Sequence, residues 1–121
     1  MPSRKIVATE LAGVLRQISH PDRIRLLLKL QAGDLTVNEL AETLEIPATR
    51  VSQHLGVLRA VGLVETESKA QQRVYCLSQP ELAGWLIDGI DFIAHRLGRA
   101  SAKDIELAKE LWHKEASETV S

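Results

Sequence analysis

The chain has 121 residues, of which 45% are hydrophobic, 26% charged and only 3% aromatic, and its formal net charge is −1. This composition excludes a disordered chain, and the scarcity of aromatic residues favours a core of packed aliphatic helices over a β-sandwich. No apolar stretch approaches the roughly 18 residues that a membrane span needs, so we expect a cytoplasmic protein without a membrane partner.

Two helices are predicted at the start of the chain. In the first, aliphatic residues recur at helical spacing until the dipeptide His20-Pro21 interrupts them. Pro21 suits the first position of the second helix, where its missing N–H costs nothing, and Gly33-Asp34 ends that helix. The residues that define the first helix are Val7, Leu11, Val14, Leu15 and Ile18.

A third and a fourth helix follow, separated by a sharp turn at Ile46-Pro47. Thr36 begins the third helix, and Glu39 three residues later completes the pattern of a capping box. The fourth helix is predicted over residues 48–60, with Gly62 as its C-terminal cap. Its inward positions are Val51, Leu55 and Leu58.

Two extended runs, 63–67 and 73–77, predict a β-hairpin with a polar tip at 68–72. A long helix over 82–97 and a last helix over about 102–114 complete the chain. The last helix should turn Ile105, Ala108, Leu111 and Trp112 inward. The predicted fold class is therefore mainly α with one small β-hairpin, in the order of four helices, two strands, a fifth helix and a C-terminal helix.

The third and fourth helices with the following hairpin are typical of a winged helix-turn-helix, in which the second helix of the pair enters the DNA major groove. Residues 47–60 contain two arginines, a histidine and no acidic residue. A helix that reads bases needs hydrogen-bond donors and acceptors on one face and aliphatic residues on the other. A helix face that is only solvated would show a similar pattern. The outward positions are Thr49, Arg50, Ser52, Gln53 and His54.

Four motifs in this order closely resemble the ArsR-type (arsenic-repressor-like) family of bacterial regulators: ISHPDRIRLL at 18–27, LTVNELA at 35–41, VSQHLGVLRAVGLV at 51–64 and RVYCL at 73–77. The resemblance covers roughly residues 7–97. It implies a homodimeric repressor that binds a palindromic double-stranded DNA operator and is released by a signal. It places the five outward positions on the recognition helix, and it places Lys69, Gln71, Gln72 and Arg73 on the wing.

The resemblance also implies a dimer held by the first and fifth helices. We expect one domain over residues 1–121, with a winged-helix core at 7–97 and a C-terminal extension at 100–121. The aliphatic residues expected in the dimer interface are Val7, Leu11, Val14, Leu82, Leu86, Ile90 and Ile93.

The sequence departs from the family pattern where other members sense metals. Thr36-Val37-Asn38 stands where many members have Cys-Val-Cys, and the family's zinc-binding histidine and acid are missing from the fifth helix. At the turn, Pro47-Ala48 replaces a Ser-Gln pair, so Ala48 makes no polar base contact. We therefore predict no metal site and no cofactor.

Several residues are candidates for metal binding or redox chemistry, but each is also explained by an ordinary structural role. The set Asp88, Asp91 and His95 and the set Glu106, Glu110 and His113 each share a helix face, which is also the pattern of a solvated stripe. Cys76, the single cysteine, is interpreted as a small, partly buried hydrophobe in preference to a redox switch. His20 is interpreted as structural.

Two other functions fit the sequence less well than DNA binding. A winged helix that binds a protein partner would present an apolar or acidic recognition face, which this sequence lacks. An enzyme would need a phosphate loop, a nucleophile motif or a metal triad, and none is present, so no catalytic residue is predicted. The inducing signal stays open between a metal at another site, a thiol-reactive species, a small ligand and none.

Overall fold

A computed structural model describes residues 2–93 and 99–118. These residues form a mainly helical fold with one antiparallel β-hairpin, which confirms the predicted fold class. No helix within these ranges is long and apolar enough to cross a membrane. The elements in chain order are α1 (Pro2–Ile18), α2 (Pro21–Leu30), α3 (Val37–Leu44), α4 (Ala48–Ala60), β1 (Val64–Lys69), β2 (Gln72–Leu77), α5 (Glu81–Gly89), a 3-10 turn (Ile90–Phe92) and α6 (Arg99–Glu118).

Capping side chains fix the residues at which α2 and α3 begin. His20 caps α2, because its Nδ1 accepts the backbone N–H of Asp22 at 3.1 Å, and Pro21 follows as the first helical residue. The predicted capping box is present at α3: Thr36 Oγ1 accepts the N–H of Glu39, and the Glu39 carboxylate accepts the N–H of Thr36. These contacts satisfy donors that a helix start otherwise leaves free.

The core lies where α2, α3, α4 and α5 meet the base of the hairpin. It is built almost entirely from aliphatic side chains, with Tyr75 as a buried aromatic residue. The three inward positions predicted on α4 are all fully buried. Because interiors pack closely, this core fixes how α4 sits on the rest of the domain. Its completely buried members include Leu26, Leu27, Leu40, Val51, Leu55, Leu58 and Ile87.

The hairpin is longer than predicted, since each strand runs toward the tip and leaves a turn of only two residues. Ala70 and Gln71 occupy that turn, both with positive φ values, of 49° and 67°. The register pairs Val64 with Leu77 and Lys69 with Gln72. Leu35 forms a bridge to Tyr75 on the other side of β2, with N–H···O distances of 3.1 and 2.8 Å, and so ties the hairpin to the loop before α3.

The prediction of one continuous helix over 82–97 is wrong. α5 ends at Gly89, and the chain tightens into the 3-10 turn Ile90–Phe92. Glycine is the least favourable non-proline residue for a helix interior, which accounts for the break at this position. Residues 94–98, with the predicted inward Leu97, lie outside the described residues.

The C-terminal half of α6 contacts the end of α2. Lys29 Nζ donates to Glu115 Oε1 at 3.4 Å, and Gln31 Nε2 donates to the carbonyl of Trp112 at 3.1 Å. Ile105 is buried and Trp112 is partly buried, as predicted. Leu111 was expected to point inward and does not: it is 52% exposed, because the docked face of α6 runs through Trp112 and Glu115 instead.

Candidate nucleic-acid interface

A short turn sets α4 against α3. Glu45 ends α3 in the left-handed conformation, Ile46 is buried beneath the turn, and Pro47 precedes α4. The Pro47 carbonyl accepts the N–H groups of Arg50 and Val51 at 2.9 and 3.0 Å. The Arg25 guanidinium donates to the carbonyl of Leu44 at 2.8 Å, where a cation also complements the C-terminal end of the α3 dipole.

Four of the predicted DNA-binding residues share the exposed face of α4. Thr49, Arg50, Ser52 and Gln53 are all exposed, while the opposite face lies in the core. The first turn of α4 contains no acidic residue, and no side chain caps its backbone N–H groups. An uncapped helix start offers partial positive charge and free donors, which suits a DNA phosphate.

The predicted outward position of His54 is wrong, because the residue is only 8% exposed. It follows Val51 by three residues and precedes Leu58 by four, so it belongs to the apolar stripe of α4. That spacing was visible in the sequence, and the polarity of the side chain obscured it. Because the side chain is held in the core, the structure favours a packing role for His54.

His54 instead joins α4 to α2. Its Nδ1 accepts a hydrogen bond from Arg23 Nε at 3.1 Å, and its ring centroid lies 4.5 Å from that of His20. The Nε2 atom lies 4.0 Å from Asp22 Oδ2 and has no hydrogen-bond partner among the described residues. Burial, followed by the charges of His20 and Arg23, lowers the pKa of His54, so the imidazole is neutral at neutral pH.

A groove connects α4 to the hairpin and brings together side chains that are distant in sequence. It is lined by Ser52 of α4, by the start of α3, and by Gln72 and Arg73 of β2. The Arg73 guanidinium carbon is 5.7 Å from the centroid of the Tyr75 ring, a cation–π contact that orients the arginine. Asn38, at the start of α3, also lines this groove, and the sequence does not predict it as a DNA-binding residue.

The remaining wing residues lie at the tip of the hairpin. Gln71 occupies the turn and is exposed. Lys69 is exposed too, but its ammonium group forms an ion pair with Asp34 in the loop before α3, and this hydrogen bond raises the pKa of Lys69. Lys69 therefore remains charged, and its ammonium group is paired with the Asp34 carboxylate of the same chain.

The residues predicted for the dimer interface fall into two groups. Val7, Leu11 and Ile93 are exposed, whereas the others are partly buried. Val14, Leu82 and Leu86 already pack against the core of their own chain, and Ile90 is half-buried in the 3-10 turn. Four further apolar residues are exposed, and the sequence prediction of the interface does not include them: Ile6, Leu15, Trp85 and Phe92.

The potential metal ligands on the last two helices do not converge within the described residues. Asp91 pairs with Lys109 of α6 at 2.7 Å, and His95 lies outside the described residues. The ligand atoms of His20, Asp22 and His54, by contrast, all lie within 4.8 Å of one another. Sequence spacing did not reveal this group, because its members come from two helices separated by a third.

Cys76 is half-buried on β2, and its thiol lies 3.8 Å from the carbonyl of Glu65. Burial, with the nearby charges of Asp34 and Glu67, raises the pKa of this thiol. A thiol that keeps its proton is a poor nucleophile. The interpretation of Cys76 as an unreactive residue stays a prediction.

Comparison with known proteins places these features in a family. Residues 20–66 match the family model described as "Bacterial regulatory protein, arsR family". The chain is 39% identical over 83 residues to the biofilm growth-associated repressor of Agrobacterium fabrum, an alignment that covers 69% of this chain and 71% of that one. It is 38% identical over 69 residues to the transcriptional activator HlyU of Vibrio cholerae, covering 57% and 64%. The crystal structure of the transcriptional repressor BigR from Xylella fastidiosa matches with a TM-score of 0.66 and 31% identity, over 81% of this chain and 97% of that one.

Proposed function

Because this chain belongs to the ArsR family of bacterial regulatory proteins, we propose that it is a cytoplasmic repressor that binds a palindromic DNA operator as a homodimer. The family and the relatives are transcriptional regulators and not enzymes, so the chain is a DNA-binding transcriptional regulator. Two of the relatives are named repressors, which supports repression, and one relative is named an activator.

The exposed face of α4 carries this proposal. Gln53 has an amide that can pair with the N6 and N7 atoms of adenine, and Arg50 is long enough to reach a guanine or a phosphate. Thr49 and Ser52 offer hydroxyl groups to phosphates or bases. The opposite face of α4 is fixed in the core, so these side chains are presented on a rigid helix.

The wing has a different role in this proposal. Arg73 stands at the rim of the groove that Ser52 also lines, where a cation would meet a phosphate. Gln71 and Gln72 would supply neutral hydrogen bonds beside it. Lys69 would contribute only if the DNA backbone replaced Asp34 as its partner.

A homodimer would place two recognition helices about one DNA turn, ~34 Å, apart on the two halves of a palindrome. The exposed apolar side chains of α1 and of the α5 end support this arrangement, since isolated domains rarely leave such a set in water. A protein-interaction module without DNA binding would not need the arginine and amide on α4, and we regard it as the weaker alternative.

The test begins with a DNA duplex that the protein itself selects from a randomised library. We expect Gln53→Ala to cost about 1–3 kcal/mol on the selected duplex and to leave binding to a scrambled duplex almost unchanged. Arg73→Ala should weaken both and lower the salt slope by about one unit per protomer. Fluorescence anisotropy across a salt series measures these effects.

Two results would contradict the proposal. Failure to enrich any sequence would remove specific DNA binding. If Gln53→Ala weakened both duplexes equally while Arg73→Ala affected only the selected one, the roles of α4 and the wing would be reversed.

A further inference from the structure

We propose that Asp34 limits the affinity of this protein for DNA, because its carboxylate competes with DNA phosphates for the ammonium group of Lys69 on the wing. The inference rests on the proposed function and deepens it. It assigns an opposing role in DNA binding to an acidic residue in the loop before α3, outside the helix and the wing that are proposed to contact DNA.

The ion pair between Lys69 and Asp34 is open to exchange from the side of the lysine. Lys69 is the last residue of β1, and its Nζ donates a hydrogen bond to Asp34 Oδ2. The Lys69 side chain is 58% exposed, whereas that of Asp34 is only 27% exposed. The hydrogen bond and the charge of Asp34 raise the pKa of Lys69, so the ammonium group stays charged at neutral pH. A DNA phosphate can therefore approach this cation from solvent, but it meets a carboxylate already in place.

The backbone on both sides holds Asp34 in this position. Gly33 precedes it with a φ of 140°, a conformation that favours glycine. Leu35 follows it and pairs with Tyr75 of β2 through two hydrogen bonds, of 3.1 and 2.8 Å. The carboxylate thus lies beside the hairpin whether or not Lys69 binds it, and a competitor that is already held in place loses little conformational entropy when it pairs.

The two cations of the wing differ in their partners. The guanidinium carbon of Arg73 lies 5.7 Å from the centroid of the Tyr75 ring. In the described parts of the chain Arg73 forms no ion pair with a carboxylate, whereas Lys69 has one. A phosphate contact of Arg73 therefore gains a charge pair. The same contact of Lys69 exchanges one charge pair for another and leaves Asp34 unpaired near the phosphate, where the two anions repel each other.

The opposite role for the ion pair is that it holds the wing in the orientation that DNA requires. Asp34 would then support DNA binding, and its loss would weaken that binding. The bridge between Leu35 and Tyr75 already joins the hairpin to this loop, which favours the competing role. The two roles predict opposite signs for the removal of the carboxylate.

The decisive variant is Asp34→Asn, which removes the negative charge and keeps the size of the side chain. Glu67→Gln is the matched control, because Glu67 is an exposed acid on β1 whose charge acts on Lys69 without an ion pair between them. Lys69→Met removes the ammonium group and keeps the aliphatic stem, and its combination with Asp34→Asn completes a double-mutant cycle. Fluorescence anisotropy on the selected and scrambled duplexes, across a salt series, measures the DNA binding of each protein.

We expect Asp34→Asn to bind both duplexes roughly three- to tenfold more tightly as a dimer, with a salt dependence steeper by up to about one unit per protomer. Glu67→Gln should gain less than about twofold, because its charge acts on Lys69 only through screening solvent. Lys69→Met should cancel the gain of Asp34→Asn while costing the parent protein little. Unchanged or weaker binding in Asp34→Asn would overturn the inference, and so would an equal gain in Glu67→Gln or a gain that survives in the double variant.

A measurement on the free protein separates this inference from the proposed function. A brief pulse of an amine-acetylating reagent, followed by peptide mass spectrometry, should label Lys69 more slowly in the parent protein than in Asp34→Asn, because the ion pair holds its proton. Lys103, exposed on α6, is the reference whose labelling should not change. Equal labelling of Lys69 in both proteins would overturn the ion pair and the inference with it.

Faster labelling in Asp34→Asn together with unchanged DNA affinity would overturn the competition alone. Failure of the parent protein to select any duplex would overturn the proposed function and the competition that rests on it, while the labelling would still decide the ion pair.

Discussion

At the level of single residues, the contact between Arg23 and His54 holds α2 against α4. His54→Ala removes a buried acceptor and leaves the Arg23 Nε–H without its partner. We expect a loss of about 1–3 kcal/mol in the free energy of unfolding, measured by urea denaturation at neutral pH. Gln53→Ala, one residue earlier on the exposed face, is the control and should change it by less than about 0.5 kcal/mol. Equal effects from the two variants would contradict the buried role of His54.

Cys76 gives a second prediction at this scale, one that concerns pH. Burial raises the pKa of its thiol, so the folded protein holds less thiolate than the unfolded chain at the same pH. Alkylation by iodoacetamide at about pH 8 should therefore be slower in the folded state than in urea. Because the unfolded thiol loses its proton at a lower pH, the free energy of unfolding should fall as the solution becomes alkaline. Equal alkylation rates in both states would exclude this protection.

The same residues show which parts of the site the sequence could predict. Thr49, Arg50, Ser52 and Gln53 were placed correctly on the exposed face of α4, because an apolar stripe at helical spacing determines the opposite face. His54 differs from the sequence prediction because its polar side chain occupies a position of the apolar stripe. The group formed by His20, Asp22 and His54 depends on how α2 crosses α4, and a linear pattern contains no information about that crossing.

At the level of elements, the hairpin turn is strained. Ala70 and Gln71 both have positive φ, a conformation that non-glycine residues adopt at a cost. Asn-Gly is the preferred pair for such a two-residue turn, so Ala70→Asn with Gln71→Gly should stabilise the protein by roughly 0.5–2 kcal/mol in thermal or urea unfolding. Gln72→Gly, one residue further along, lies in β2 without a positive φ and should destabilise the protein instead. Stabilisation by both changes would contradict the proposed strain.

The boundaries of elements were harder to predict than their type. The capping box at Thr36 and the proline at the start of α2 fixed two helix starts, because each depends on local chemistry alone. The break of α5 at Gly89 and the two-residue turn of the hairpin were missed. In both places the sequence permits more than one local conformation, and packing selects between them.

At the level of the whole molecule, we expect the apolar stripe of α1 to lie in a homodimer interface. Leu11 is 49% exposed on this stripe, so Leu11→Glu would bury a charge between two chains and should shift the protein toward monomer. Thr9→Glu adds the same charge on the opposite side of α1 and should leave the dimer intact. Sedimentation equilibrium at micromolar concentration measures both. A monomeric parent protein would contradict the dimer and the palindromic operator together.

The winged-helix core at 7–97 and the C-terminal extension at 100–121 are in contact with each other. The contacts of Lys29 and Gln31 with α6 join the extension to α2. We therefore propose one cooperative unit over residues 1–121. The sequence could predict the helix itself from its spacing, but not its docking, because the polar contacts that hold it are made by residues more than eighty positions earlier in the chain.

The two helices of the helix-turn-helix, α3 and α4, begin differently, and amide hydrogen exchange should reveal the difference. At the start of α3 the capping box holds the N–H groups of Thr36 and Glu39, whereas no side chain caps the N–H groups of α4. In the free protein, deuterium should therefore enter the first turn of α4 sooner than the first turn of α3. A DNA phosphate at that position would supply the missing acceptors and slow the exchange at α4 alone. The start of α4 would then report DNA occupancy without a fluorescent label, readable by mass spectrometry even in a mixture of duplexes.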